Sequence, residues 1–153
     1  MQVVRDRPPL FDLIDKKFNV RGKPVIFAWG AMIFVPSGSL EIAPQLKVHE
    51  AVHGGRQLLY DPIRPICDRP LSDEDRIEAW WMRYIDDAAF RRQEETLAHI
   101  EEYRHLCEHA GGRNQRRRHL SIVSSKLSNP IYGPLMNKAQ AREVLEHGYP
   151  SHP

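Results

Sequence analysis

The stretch Pro44-Gln45-Leu46-Lys47-Val48-His49-Glu50-Ala51-Val52-His53-Gly54-Gly55-Arg56-Gln57-Leu58-Leu59-Tyr60 decides how this chain is read. Pro44 suits the first turn of a helix, where a missing N–H costs nothing. From Gln45 to about Tyr60 the pattern is helical, because Val48, Ala51, Val52 and Leu59 fall on one stripe at about 100° per residue. Gly54-Gly55 lowers the propensity by about 1 kcal/mol per glycine relative to alanine. A backbone bare of side chains there predicts close packing or an early helix end.

Within this helix lies His49-Glu50-Ala51-Val52-His53, an H-E-x-x-H pattern. Residues four apart on a helix differ by only about 40°, so the two imidazoles project side by side and can share one metal at about 2.0–2.1 Å. Glu50 lies about 100° round from His49 and can take a proton from water on that metal without being a ligand. The apolar stripe sits roughly 100° from the histidines, which predicts that they flank the core as a cleft requires. The plain alternative is a pair of surface histidines beside a chance glutamate.

Working outward, Val25-Ile26-Phe27-Ala28-Trp29 and Met32-Ile33-Phe34-Val35 are β-branched and aromatic, with Gly30 between them. They read as a β-hairpin turning at Ala28–Ala31 and ending at Pro36-Ser37-Gly38. Both runs are too apolar to stand exposed, so something covers them. Residues 1–23 read as an N-terminal arm with one helical turn near Leu10-Phe11-Asp12-Leu13-Ile14.

Downstream, Asp61 to Pro70 carries Pro62, Pro65 and Pro70 and reads as a loop. Ser72-Asp73-Glu74-Asp75 is a helix start, a serine cap followed by acids that suit the positive end of the helix dipole. No Gly or Pro interrupts the chain from there to Ala110, which allows one long helix or two with a break near Asp86-Asp87. Ile77, Trp81, Tyr84 and Ala88 make one stripe; Leu97, Ile100, Tyr103, Cys107 and Ala110 make another. Gly111-Gly112 stops the helix. Arg113 to His119 reads as a basic connector, Ser128 to Pro134 as turns, and Lys138 to His147 as a last helix capped by Asn137 and closed by Gly148.

The expected fold is α+β: a short antiparallel β-hairpin packed on the H-E-x-x-H helix, followed by a mostly helical C-terminal half. One domain is expected over residues 1–153, divided into the arm (1–23), a core with the metal site (24–90) and a helical part (91–153). Composition agrees, since 153 residues at 41% hydrophobic and 27% charged supply one soluble core. No apolar run approaches the roughly 20 residues of a membrane span. The N-terminus lacks the apolar region of a secretory leader. Two cysteines, Cys67 and Cys107, cannot make a disulfide framework, so a cytoplasmic location is expected.

Two histidines need a third ligand to hold zinc. Glu78, 25 residues beyond His53, is the expected one, on the next helix beside Met82, Ile85 and Ala89. Its plain alternative is a solvated helix acid. Glu74, one turn earlier on the same face, reads as a first-turn acid, or as an acceptor for a ligand histidine. Asp86 and Asp87 fall away from this face.

These residues resemble the zincin metallopeptidases, and more narrowly the gluzincin arrangement of two histidines with a downstream glutamate, as in minimal single-domain gluzincins and the zincin-like domains of bacterial and phage genomes. The resemblance covers Pro24 to Ala89. It implies a zinc-dependent hydrolase of peptide or protein substrates, with metal on His49, His53 and Glu78 and general-base work on Glu50. It also implies that the strand Met32–Val35 is the edge on which substrate pairs. Metzincins would carry glycine at 56 and histidine at 59, where this chain has Arg56 and Leu59. Many gluzincins place an aspartate four residues after the ligand glutamate; here that position is Met82. Taking Glu74 as ligand and Glu78 as its support restores the offset, so both assignments stand open. Tyr132 and Arg56 are the candidate oxyanion stabilisers.

Two further readings compete. The chain could be a catalytically silent zincin-like binding protein, or a small nucleic-acid-binding accessory using the arginines of residues 113–119. His105, Cys107, Glu108 and His109 form a second metal-capable group, read here as an ordinary amphipathic helix end. Trp29, Trp80 and Trp81 read as core.

Overall fold

The computed structural model describes residues 1–62 and 70–148. Pro65 and Cys67 of the expected loop, and residues 149–153, lie outside the described residues. The elements are β1 (Gln2–Val4), α1 (Phe11–Phe18), β2 (Phe27–Trp29), β3 (Met32–Phe34), α2 (Pro44–Leu58), α3 (Asp73–Asp86), α4 (Ala88–Glu108), α5 (Arg113–Leu127), a 3-10 turn (Pro130–Tyr132) and α6 (Lys138–His147). The architecture is α+β, with six helices and one mixed three-stranded sheet among the described residues.

The hairpin forms where β-branched and aromatic runs flank Gly30, whose φ of +56° turns the chain at a position side chains disfavour. β2 pairs with β3 antiparallel, Ala28 opposite Ile33. The arm expected at the N-terminus is instead part of the fold. β1 adds to β3 in parallel, Val3 opposite Ile33, so the order is β1-β3-β2 and β3 is the central strand. A three-residue strand has no local signature; its partner supplies the order. Phe11 and Ile14, one turn apart on α1, turn into the main core with Phe27, Trp29, Trp80, Trp81 and Tyr84.

α2 begins at Pro44 as expected, but its inward face differs from the apolar stripe. His49, Glu50, His53, Gly54 and Gln57 are buried, while Ala51 is exposed and Leu59, just past the helix end, is 84% exposed. The histidines therefore face inward rather than flanking the core. The reason is what lies opposite: α4 turns an equally polar face to α2, burying Glu94, Glu95, His99 and Glu102.

The break between α3 and α4 falls at Asp87, whose carboxylate accepts hydrogen bonds from the N–H groups of Ala89 and Phe90. Ser72 and Asp75 form a reciprocal cap at the start of α3, and Asn137 with Gln140 does the same for α6, which spans the expected residues. The expected basic connector is the exposed first turns of α5. Leu120 and Val123 of α5 pack with Leu145 of α6 and with Ile100 and Tyr103 of α4 in a second core. No helix among the described residues is long and apolar enough to cross a membrane. Cys107 is a free thiol.

Candidate metal centre

α2 contributes His49 and His53 from successive turns, with Nε2 atoms 3.2 Å apart. α4 contributes Glu95, His99 and Glu102, at i, i+4 and i+7 on one face, each 2% exposed or less. Glu95 stands between the histidines. Its Oε1 is 3.4 Å from His53 Nε2, and its Oε2 is 3.8 Å from His49 Nε2 and 3.7 Å from His99 Nε2. His49, Glu95 and His99 offer ligand atoms that lie within 4.8 Å of one another.

Behind these atoms lies a supporting layer. His99 Nδ1 donates to Glu102 Oε2 at 2.8 Å, and Lys126 of α5 donates to Glu102 Oε1. Tyr84 of α3 donates its hydroxyl to Glu95 Oε1 at 2.5 Å. Glu94, next to Glu95, is clamped by Arg56 through Nε at 2.5 Å and Nη2 at 2.6 Å. These contacts orient the inward-facing groups.

The electrostatics follow from burial and crowding. Burial, aided by the charge of His99, lowers His49 to about 4. Burial raises Glu50 to about 8, against the opposing charge of His53 and the backbone N–H of Ala28. Burial alone would raise Glu95, but His53, His49 and His99 around it outweigh that and bring it down to about 2. Glu102 is likewise held below the carboxylate range, burial being outweighed by His49, His99 and Lys126.

The donor set fits a divalent ion on two grounds. Two buried atoms on the side of the histidine Nε2 pair, Glu95 Oε2 and His99 Nε2, lack a hydrogen-bond partner among the described residues. Such groups are costly unless something else engages them. Second, ligand bonds of about 2.0–2.1 Å around a tetrahedral ion put neighbouring donors about 3.3–3.4 Å apart. The observed separations, 3.2 to 3.8 Å, bracket that value. Imidazole with carboxylate suits zinc, though other divalent ions accept the same set.

Glu50 shares a small cavity with His49, His53, Glu95, Trp80, Tyr84 and Tyr132, of about 50 Å³. Since one water needs about 10–15 Å³ on this measure, the cavity takes an ion and a few small groups, not a peptide residue. Ile131 and Tyr132 line it, and Arg91 ties that strap by donating Nε to the Tyr132 carbonyl at 2.8 Å.

The structure separates the expected site residues. His49, Glu50 and His53 are together, and Tyr132 lines their cavity. Glu78 and Glu74 are exposed on α3 and do not join them. The rings of Trp80, Trp81 and Tyr84 claim the inward face of α3, which leaves Glu78 on the solvent side with Met82. Arg56 is occupied by Glu94. Met32–Val35 is not an edge, because β1 and β2 flank β3. On β2 itself, Gln57 takes the Gly30 N–H and the Ala28 carbonyl, which also accepts from Trp81 Nε1.

Sequence reasoning missed Glu95, His99 and Glu102. Their i, i+4, i+7 spacing was the available signal, hidden beside the apolar stripe that runs along the same helix. His105, Glu108 and His109 also group together, but at the surface, where His109 Nδ1 donates to the His105 carbonyl. Comparison with protein-family models, with curated proteins and with solved structures finds no match for this chain.

Proposed function

We propose that the chain is a zinc-dependent hydrolase of peptide bonds, with the ion on His49, His53 and Glu95 and with Glu50 as general base. The observation that carries this reading is the convergence of two imidazoles of one helix and a carboxylate of another, 3.2 to 3.8 Å apart, beside a buried glutamate. His49, His53 and Glu95 would hold a zinc ion that would supply an activated water and polarise a carbonyl. Glu50, ionised once a cation offsets its burial, would receive the proton and pass it to the leaving nitrogen. Tyr84 holds Glu95 in orientation, and Tyr132 sits where it can approach a developing oxyanion. Gln57 and Gly54 set the motif helix against the hairpin.

The proposed ligand set departs from the one expected at Glu78. Glu95 lies 42 residues beyond His53, and the residue four further on is His99 rather than an aspartate. A second reading, a binding protein with a purely structural ion, is favoured by the 50 Å³ cavity. A peptide would reach Glu50 only if that cavity opened further.

Elemental analysis of the purified chain and of His53→Ala, alongside cleavage of a mixed peptide library by wild type and Glu50→Gln, tests both. Zinc at one per chain, lost in His53→Ala, with cleavage lost in Glu50→Gln, is the expected result. Zinc without cleavage in wild type selects the structural reading. Equal metal in wild type and His53→Ala overturns the site.

A further inference from the structure

We infer that His99 is a fourth protein donor to this metal centre, held in that role by Glu102 and Lys126. The inference rests on the metal reading above and deepens it, because a centre built on His49, His53 and Glu95 does not itself require a third imidazole.

Nδ1 of His99 lies 2.8 Å from Glu102 Oε2 and donates to it. Nε2, in a residue 2% exposed, has no hydrogen-bond partner among the described residues. It stands 3.7 Å from Glu95 Oε2, itself buried and unpartnered. A buried imidazole nitrogen and a buried carboxylate oxygen left facing one another are the donor pair that a shared divalent ion engages. His49, whose ring centre is 4.4 Å from that of His99, completes the group.

The support is built to keep the ring in place. Lys126 donates to the other oxygen of Glu102, so that carboxylate is tied from α5 while it holds His99 on α4. A carboxylate behind a ligand imidazole fixes both its tautomer and its orientation. Glu102 Oε2 also lies 3.5 Å from His49 Nδ1, so Glu102 backs two imidazoles of the cluster.

With three imidazoles and one carboxylate as donors, the water of the proposed hydrolysis would enter as a fifth ligand. Tyr132, which lines the cavity with His49, His53 and Glu95, has its ring centre 6.4 Å from that of His99.

The test uses the full chain loaded with Co2+ and proton NMR, in which each coordinated imidazole keeping its second N–H contributes one hyperfine-shifted exchangeable resonance. Three such resonances are expected in wild type and two in His99→Asn. In Glu102→Gln the resonance of His99 should exchange with water at least tenfold faster. Two resonances in wild type, unchanged in His99→Asn, overturn the inference and leave the His49–His53–Glu95 reading intact. Failure of wild type to take up Co2+ overturns both. Should His99→Asn not fold, the wild-type count with Glu102→Gln still decides.

Discussion

Gly54 of α2 lies so close to Gly30 of the hairpin that a Cβ built on it would stand 2.1 Å from the Gly30 carbonyl oxygen. This approach brings Gln57, one turn on, to the backbone of Ala28 and Gly30, and it sets how deeply the histidine-bearing helix sits against the sheet. Gly55, its neighbour, meets nothing within 4 Å.

Two adjacent glycines should therefore respond oppositely to alanine. Gly54→Ala forces the helix from the hairpin and should cost about 1–3 kcal/mol or more, as overpacking does. Gly55→Ala should be neutral or stabilising by up to about 1 kcal/mol through helix propensity. Denaturant unfolding of both variants checks this, and equal behaviour would contradict the close approach.

Metal retention should distinguish the two candidate glutamates. Glu95→Ala should lower zinc affinity by at least tenfold, on the scale of losing a ligand or its support, whereas Glu78→Ala should leave it unchanged. Competition with a chromogenic chelator measures both, and the reverse ranking would return the third ligand to α3.

Acid should erase the cap between α3 and α4. The N–H groups of Phe90 and Ala89, with Arg83, hold the Asp87 carboxyl below its ordinary value. A folded pKa below the unfolded one means that the stabilisation is complete above about pH 4 and fades as pH falls through the folded value. Asp87→Ala should cost about 1 kcal/mol near neutrality, and the gap to wild type should close in acid. Unfolding curves across that range decide it; a gap that persists in strong acid would show that charge plays no part.

Loosening of the strap should follow loss of Arg91. This guanidinium, 4% exposed, donates to the carbonyls of Tyr84, Ile85 and Tyr132. Arg91→Ala leaves the buried carbonyls of Tyr84 and Ile85 and the part-buried one of Tyr132 short of a donor, at about 1–3 kcal/mol for each buried one that water does not repair. Amide exchange should rise at least tenfold at Gly133 and Leu135 while α6 stays protected. Unchanged exchange there would mean that the strap is held by packing alone.

Much of the local order was legible along the chain. Pro44, the Ser72 and Asn137 caps, the Asp87 break and the Gly148 stop each act through backbone groups a few residues away, and each lies where spacing placed it. The pairing of His49 with His53 is of the same kind, since four helical residues bring them together whatever surrounds them. By contrast, β1 has no strand signal of its own, and α1 looked like an arm because charged residues surround its two core side chains.

The identity of the residues facing that histidine pair belongs to a different class of question. Which side of α2 turns inward, and whether Glu78 or Glu95 meets it, depends on how helices rotate against one another. That rotation was settled by Trp80, Trp81 and Tyr84 filling the core from α3, and by α4 answering the polar face of α2 with its own. Short-range geometry is written in neighbouring residues. A site shared by two helices exists only after the largest apolar surfaces are buried, and only tertiary packing decides what is left to converge.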